Sequence, residues 1–366
     1  MARLAFVAEA PAGEEVDAGR SLGQPPIPLV GPSGRIFSHI LRAAGLARVD
    51  NPPLDWGRQY GPLGLRPLLW ERSDHWVGNV WDTRIEGDDF GSLFAPATEA
   101  REGGYGEAAY HAPQYGWLRP EHRGAFRRLA QDLTAFRPTA IVTLGAAATW
   151  VFTEEAAIAE TAGSRMTATR ILPGLPVYPT LHPAHVIADF RMLERVIADV
   201  KRAARGDKPQ PRTLWVAPDI SGMERWWREH GAKAPYLAVD IETVRGQIDV
   251  IAFSSPSATI SVPFVDFGSS SRSYWAEADE ELRAWDMVEE WLMSPCPKIF
   301  QNGLYDLAWL WGEMGLRVKN YCRDTRLMQH VHDPEMPKSL AYMGATYTMP
   351  PPAWKLMRTG EEKRDA

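Results

Sequence analysis

Short apolar runs alternate with amphipathic helical patterns through the first half of this chain of 366 residues. The apolar runs are short enough to be strands, and they occur at Leu4–Ala8, Trp76–Trp81, Ala140–Gly145 and Val177–Leu181. Helical spacing of apolar residues marks Gly34–Ala44 and Glu121–Phe136. Strands that alternate with helices predict a layered α/β fold whose sheet is largely parallel.

A polar stretch interrupts this pattern near residue 205. Arg205–Arg212 contains two prolines and one glycine and has no apolar periodicity, which is typical of a linker. A chain of this length also favours two domains. We therefore predict a first domain over residues 1–204, a linker over 205–214 and a second domain over 215–366.

The second half has a different order of elements. Three closely spaced strand-like runs, Tyr236–Glu242, Val250–Ser254 and Ala258–Phe264, predict an antiparallel meander. A helix near residues 279–293, a strand near 298–301 and a helix near 304–314 follow. This order predicts a mixed sheet. Residues 49–72 and 85–118 are rich in proline, glycine and aromatics, and we interpret them as insertions that cover one face of the first domain.

Composition excludes several classes of protein. No apolar run reaches the ~18 residues of a membrane span, so we expect no membrane partner. The chain begins with a strand-like segment, so we expect no signal peptide. Cys296 and Cys322 are too few for a disulfide framework, a four-cysteine zinc site or an iron–sulfur cluster, and we expect a reducing cytoplasm. A net charge of −6 excludes a uniformly basic coat but leaves room for a local basic groove.

Two acids end the first strand of the second half. Asp240 and Glu242 are two residues apart, so on a strand they project from one face. Like charges this close repel unless a cation lies between them, and oxygen ligands suit Mg²⁺ or Mn²⁺. The alternative is a pair of solvated acids. We favour a metal site, because the apolar residues Leu237–Val239 predict a strand that is buried on both faces.

A second polar group follows the strand near residue 300. We expect Asn302 near the N-cap of the next helix and Asp306 one turn later on the same face. Alone, this spacing also fits a cap and a surface acid. Together with Asp240 and Glu242 it is far more specific.

These residues resemble the RNase-H-like 3′–5′ proofreading exonuclease domain of family A DNA polymerases. Asp240-Ile241-Glu242-Thr243 resembles the first motif of that family, and Gln301-Asn302 through Asp306 resembles the second. The resemblance covers residues 236–350 and implies phosphodiester hydrolysis with two metal ions. It implies that Asp240, Glu242 and Asp306 hold Mg²⁺ or Mn²⁺. It also implies that Asn302, Gln301 and Thr243 contact the single-stranded 3′ end of DNA.

The third motif of that family, Tyr-x-x-x-Asp, has no counterpart in this sequence. Segments containing Asp324 and Asp333 resemble the family's intervening helices and come too early to replace it. Three alternatives stay open. A second polypeptide supplies the motif, the chain is a fragment, or the two-metal site is incomplete.

Three separate segments of the first half form a further constellation. Glu9 follows the first strand, Asn79 ends a strand, and His182 follows the last strand, at places where α/β folds build ligand sites. The order of five segments resembles the uracil-DNA glycosylase superfamily: Ala8–Ala12, Pro28–Gly31, Gly78–Asn79, Arg137–Gly145 and His182–Pro183. The resemblance implies a three-layer domain with a cleft around Glu9, Asn79 and His182.

The chemistry of that family is only partly present. Leu29 stands where the resemblance calls for a ring that stacks on a flipped base, and no cluster cysteines are present. We therefore expect a glycosylase-like domain that does not excise uracil and has no iron–sulfur cluster.

The two resemblances together imply the N-terminal part of a phage-type family A DNA polymerase. The leading interpretation is a Mg²⁺-dependent 3′–5′ exonuclease that acts in DNA replication in the cytoplasm of a bacterium or a phage-infected host. The alternatives are a non-catalytic DNA-binding scaffold that docks a separate polymerase subunit, and an active uracil-DNA glycosylase.

Overall fold

A computed structural model of the chain describes residues 3–50, 69–85, 89–107, 110–112, 115–208 and 211–348. These residues form two compact units. The first runs to residue 208 and includes residues 344–348, and the second covers residues 211–343. The division therefore differs from the predicted one at the C-terminal side. The connection is also shorter than the predicted linker, because a helix runs through Arg205 and a strand begins at Thr213.

The first unit contains eight named strands, in two sheets, and eight α-helices among the described residues. The strands are β1 (Leu4–Ala8), β2 (Trp76–Asn79), β3 (Phe94–Ala95), β4 (His111–Ala112), β5 (Gly116–Leu118), β6 (Ala140–Leu144), β7 (Met166–Thr167) and β8 (Pro176–Thr180). The helices are α1 (Gly13–Ser21), α2 (Gly31–Ala43), α3 (Ala97–Glu102), α4 (Gly124–Phe136), α5 (Ala146–Thr153), α6 (Ile158–Thr161), α7 (Pro183–Ala188) and α8 (Leu193–Arg205).

The main sheet of this unit has the strand order β2-β1-β6-β8-β7. Strands β2, β1, β6 and β8 are parallel, and only β7 pairs in the antiparallel sense. Both faces are covered. One core packs Val7 against α4 and α5, and the other packs Phe6 against α2 and α8. Alternate residues of β1 thus enter opposite cores, which explains why all five are buried.

The predicted insertions contribute one small sheet. Strands β3, β5 and β4 pair in that order in the antiparallel sense. Phe94 and Phe90 join the core that packs on α5. Parts of both predicted insertions, residues 51–68, 86–88, 108–109 and 113–114, lie outside the described residues.

The second unit is built on one mixed sheet of six strands in the order β14-β13-β10-β11-β12-β9. Its strands are β9 (Thr213–Val216), β10 (Leu237–Val244), β11 (Gln247–Ser254), β12 (Ala258–Pro263), β13 (Lys298–Phe300) and β14 (Tyr321–Asp324). Its helices are α9 (Ile220–Trp226), α10 (Ala278–Met293), α11 (Leu304–Leu307) and α12 (Thr325–His332), and α13 (Leu340–Tyr347) follows. Single π-helical stretches extend α9 and α11, over Trp227–Gly231 and Ala308–Glu313.

The meander predicted from the sequence is present, since β10, β11 and β12 pair in antiparallel order. Strand β13 runs parallel to β10, and β14 runs parallel to β13. The core of this unit lies on the face that packs against α9 and α10, where Trp226, Trp291 and Phe253 are fully buried. In the part of the chain that the structure describes, no helix is both long and apolar enough to cross a bilayer.

Candidate functional site

The two acids of β10 lie on the open face of the second sheet. Leu237, Val239 and Ile241 alternate into the core, whereas Asp240 and Glu242 are exposed. The expectation that this strand is buried on both faces was therefore wrong, because the apolar triplet contributes only every second residue to the core. The expectation that both carboxylates project from one face agrees with this alternation.

Asp306 reaches the same strand from α11. Its side chain is only 3% exposed, and its Oδ1 accepts a hydrogen bond of 3.1 Å from the backbone N–H of Ile241. Ile241 lies between Asp240 and Glu242, so this bond places the third carboxylate beside the pair. Burial, and then the negative charge of Asp240, raise the pKa of Asp306 to about 6.

Neighbouring acids raise each other's pKa along this edge. The protein around Asp240 removes part of its hydration, and this effect together with the charge of Glu242 raises the pKa of Asp240. Asp249 on β11 behaves in the same way, since partial burial and the charge of Glu242 raise its pKa. The pairing of β10 with β11 shifts register after Glu242, and Asp249 has no partner in that ladder. Sequence reasoning missed Asp249, although an acid in an otherwise apolar strand was a visible signal.

Asp324 organises the turn that precedes Asp306. It is 6% exposed at the end of β14. Burial alone raises the pKa of Asp324, but the bonds from four backbone N–H groups outweigh burial, and the net pKa is lowered. Its donors are the N–H groups of Asn302 (3.1 Å), Gly303 (2.8 Å), Arg326 (2.8 Å) and Leu327 (3.4 Å), and the hydroxyl of Tyr321 (3.2 Å).

Asn302 does not cap the helix, contrary to the expectation from its spacing. Gly303 is the N-cap residue, and Asn302 adopts a left-handed conformation with φ of 60°. Asparagine tolerates this conformation better than most residues. The Asn302 Oδ1 accepts a bond of 2.6 Å from Arg326 Nη1, so its side chain is tied to the start of α12.

The other two residues predicted to contact nucleic acid lie on either side of this turn. The Gln301 Nε2 donates to the Lys338 carbonyl at 3.1 Å, and its Oε1 accepts from the Thr325 hydroxyl. Thr243 Oγ1 and the hydroxyl of Tyr305 lie 2.5 Å apart. Tyr305 is 47% exposed, so the Thr243–Tyr305 pair faces solvent close to Asp306, whereas Gln301 is engaged within the chain.

The donor chemistry of Asp240, Glu242 and Asp306 suits Mg²⁺ or Mn²⁺, because all three supply carboxylate oxygens. The raised pKa of Asp306 fits the same conclusion, since a cation would relieve the repulsion by Asp240. Their present arrangement does not form a ligand set. Within the described ranges, no group of three or more His, Cys, Asp or Glu side chains is arranged to hold a metal ion.

The carboxyl ends of β1, β2, β6 and β8 meet at one edge of the first sheet. Glu9, Asn79, Gly145 and His182 therefore come to the same edge. Strands β1 and β6 are neighbours, and the chain leaves them toward opposite sides of the sheet. This is the position at which open α/β sheets form a ligand crevice.

The acid that contacts Asn79 is Glu15 rather than the predicted Glu9. Asn79 Nδ2 donates to Glu15 Oε2 at 3.1 Å, and the N–H of Leu29 donates to Glu15 Oε1 at 2.8 Å. Burial raises the pKa of Glu15 in spite of these two bonds and the nearby charge of Arg72. The Asn79 Oδ1 is buried and has no hydrogen-bond partner among the described residues. The helical register of α1, which carries Glu15 inward, was the signal for this contact.

His182 serves as the N-cap of α7. Its Nδ1 accepts a bond of 3.1 Å from the N–H of Ala184, and burial lowers its pKa to about 4. Leu29 is fully buried with φ of 52°. The side chain of Leu29 therefore offers no exposed surface on which a base could stack.

Comparisons with known proteins give only distant similarities. No family model matches the chain, and no curated protein matches it. The EXD2 exonuclease domain soaked in Mg is 15% identical over 37% of this chain and 69% of that chain, with a TM-score of 0.25. The catalytic core of RRP6 from Trypanosoma brucei is 21% identical over 37% of this chain and 34% of that chain, with a TM-score of 0.27. A nuclease in its apo form is 16% identical over 36% of this chain and 57% of that chain, with a TM-score of 0.25.

Proposed function

We propose that the second unit is a divalent-metal-dependent 3′–5′ exonuclease that removes nucleotides from single-stranded DNA. The observation that carries this proposal is the bond from the N–H of Ile241 to Asp306, which brings a buried carboxylate beside Asp240 and Glu242. Three carboxylates at one strand end are the ligand type for ions that catalyse phosphodiester hydrolysis. The resemblance of Asp240–Thr243 and Gln301–Asp306 to exonuclease motifs supports the 3′ end of DNA as the substrate.

Each side chain has a role in this proposal. Asp240, Glu242 and Asp306 bind the cation after their side chains reorient, which the exposure of Asp240 and Glu242 permits. When bound, such ions activate a water molecule and stabilise the leaving oxygen. Asp324 holds the turn that orients Asp306. Tyr305 and the 80% exposed Leu304 offer an aromatic and an apolar contact to the terminal base.

The test is shortening of a 5′-labelled DNA strand by the full chain with Mn²⁺ or Mg²⁺. We expect a ladder that shortens from the 3′ end. Asp240→Asn and Asp306→Asn should each lower the rate at least 100-fold, because removal of a metal ligand weakens the stabilisation of transition-state charge. Binding of Mn²⁺, followed by electron paramagnetic resonance, should weaken in the same variants.

The matched control is Asp286→Asn, which changes an exposed carboxylate on α10. This variant should retain the wild-type rate and Mn²⁺ affinity. A strand that stays intact with both metals, or Asp240→Asn and Asp286→Asn variants that cleave equally, would contradict the assignment of the site.

We further propose that this unit is the proofreading part of a phage-type family A DNA polymerase. The order of a glycosylase-like domain before an exonuclease domain supports this context. It predicts that the chain binds a DNA polymerase chain that lacks an exonuclease domain of its own. The alternative is a non-catalytic scaffold, for which binding of DNA and polymerase would persist without any metal-dependent cleavage.

For the first unit we propose a glycosylase-like domain that does not excise uracil. The buried Asn79 Oδ1 without a partner supports a ligand crevice, and the buried Leu29 argues against base stacking. We expect no release of uracil from single-stranded DNA by the full chain. Release that disappears in Asn79→Ala would support an active glycosylase instead.

A further inference from the structure

A separate cavity lies beside β2, the edge strand of the first sheet. Its volume is about 390 Å³, within the range of small-molecule sites and far larger than one water molecule needs. It is lined on one side by the loop residues Gln24, Pro25, Pro26, Ile27 and Pro28, and on the other by Leu69, Arg72, Ser73, His75 and Val77. None of these residues belongs to the crevice at the carboxyl ends of the strands.

His75 presents a buried acceptor at this cavity. The residue is 7% exposed, and its Nε2 lies 3.2 Å from the Leu46 carbonyl. A carbonyl can only accept, so Nε2 carries the proton and Nδ1 of the neutral ring is left as an acceptor. This Nδ1 is buried and has no hydrogen-bond partner in the described part of the chain. A buried acceptor without a donor is costly, and such atoms often mark a missing ligand or water.

The other polar groups of the cavity complement this acceptor. Ser73 Oγ is also buried without a partner among the residues described. Arg72 is 5% exposed and donates from Nη1 to the Leu29 carbonyl at 3.1 Å, so its positive charge is fixed at the wall. The remaining lining is mainly proline rings and aliphatic side chains, which suit a flat apolar molecule.

We propose that this cavity binds a small neutral planar amide or lactam, in which an N–H group stands next to a carbonyl. The ligand N–H donates to His75 Nδ1, and its carbonyl faces Ser73 Oγ and the charge of Arg72. The ring packs between Pro25–Pro28 and Leu69. A carboxylate cannot make this set of contacts, because it has no proton to donate to Nδ1. The proposal does not depend on the nuclease activity of the second unit.

The test uses 2-pyridone as the probe and N-methyl-2-pyridone as the matched control compound. Binding to the full chain is measured by saturation-transfer NMR and by titration of the ¹⁵N resonance of His75 Nδ1. We expect saturable binding of 2-pyridone, a shift of that resonance, and about tenfold weaker binding of the N-methyl compound, which lacks the donor.

Two variants locate the site. Ser73→Ala removes a hydroxyl without a partner and should leave the fold intact while weakening 2-pyridone binding several-fold. His75→Phe should abolish the preference for 2-pyridone over its N-methyl analogue, and Ser221→Ala in the second unit should change nothing. Equal affinity for the two compounds, stronger binding of benzoate than of 2-pyridone, or no saturable binding of 2-pyridone to the wild-type chain would each overturn the proposal.

Discussion

Two buried aspartates of the second unit have opposite pKa shifts for a clear reason. Asp306 and Asp324 are 3% and 6% exposed, so both lose most of their hydration. Asp324 accepts bonds from four backbone N–H groups, which lower its pKa overall. Asp306 has the Ile241 N–H and the repulsive charge of Asp240, and its pKa rises to about 6. The number of donors, rather than burial, separates a carboxylate that holds a turn from one that is left with charge to share.

This difference predicts the effect of changing Asp324. Asp324→Ala leaves four buried N–H groups without their acceptor and removes the N-cap of α12, so it should lower the free energy of unfolding by about 2–3 kcal/mol. Asp324→Asn keeps one acceptor oxygen and should cost less. Urea denaturation followed by tryptophan fluorescence measures both, with Asp286→Asn as the control. Equal stability of Asp324→Ala and wild type would show that the turn does not depend on this side chain.

His182 predicts a pH dependence of stability in the first unit. Burial lowers its pKa to about 4, against about 6.5 in the unfolded chain. The unfolded state therefore binds more protons between these values, so the stability due to neutral His182 is complete above pH 6.5 and is lost as the pH falls toward 4. His182→Asn removes the titration and keeps an acceptor for the N–H of Ala184.

We therefore expect the free energy of unfolding of the wild-type chain to fall more steeply between pH 7 and pH 4.5 than that of His182→Asn. Denaturant titrations at pH 7, 5.5 and 4.5 give the two slopes. Parallel slopes would mean that His182 is as easily protonated in the folded state as in the unfolded chain.

At the same scale, sequence reasoning identified residues better than their contacts. The spacing of Asp240 and Glu242 indicated a shared face, and the structure also brings Asp306 to Ile241. Their role as metal ligands stays a prediction. The contact of Glu15 with Asn79 joins residues 64 positions apart, and no local pattern specifies which of Glu9, Glu14 and Glu15 turns inward. Asp249 enters through a register shift, which depends on pairing between strands rather than on sequence spacing.

Among the elements, those with strong periodicity were the easiest to predict. The meander β10–β12 and helix α10 lie close to their predicted positions. Strands β9 and β14 were not predicted, because each has four residues and is mostly exposed, so neither shows a buried apolar pattern. Both are edge strands of the sheet, where pairing with a neighbour rather than burial defines the strand.

The end of α10 depends on one buried lysine from the next strand. Lys298 is fully buried, and its Nζ donates to the Ser294 carbonyl at 2.7 Å, the Ser294 hydroxyl at 2.9 Å and the Cys296 carbonyl at 2.9 Å. A cation at this end also interacts favourably with the helix dipole. Burial lowers the pKa of Lys298, so these acceptors compensate for lost hydration only in part.

Lys298→Met should therefore destabilise the second unit by about 1–3 kcal/mol, because two buried carbonyls lose their donor. Hydrogen exchange should rise first in the last turn of α10. Lys233→Met, at an exposed position, is the control and should leave both properties unchanged. Faster exchange spread evenly over the unit, or no loss of stability, would contradict a local role for the ammonium group.

For the whole chain, the sequence indicated two units but not where the last described residues belong. The polar break near residue 205 and the change in the order of elements suggested the division. Residues 344–348 group with the first unit, although they follow the second in sequence. No composition shift marks this return, because it depends on a long-range contact: Arg202 Nη2 donates to the Thr346 carbonyl at 2.8 Å.

This return makes the first unit depend on a segment distant in sequence. Arg202 is 4% exposed and also donates to Asp199, which is 1% exposed. Ala345 lies close to Gly163, where φ is 86° and an added Cβ would come within 2.9 Å of the Ala345 Cβ. Removal of residues 344–366 would uncover the buried Arg202–Asp199 pair and leave one guanidinium N–H without its carbonyl.

A chain that ends at residue 343 should therefore have a first unit less stable by about 1–3 kcal/mol. Hydrogen exchange of α8 and β8, compared with the full chain, measures this loss where it should be largest. Thr346→Ala is the matched control, because it keeps the backbone carbonyl that Arg202 contacts and should leave exchange in α8 unchanged. Gly163→Ala in the full chain should reproduce part of the loss by displacing Ala345. Exchange in α8 that is the same in the shortened and full chains would show that the first unit does not need this segment, and that the Arg202–Thr346 bond contributes nothing measurable to its stability.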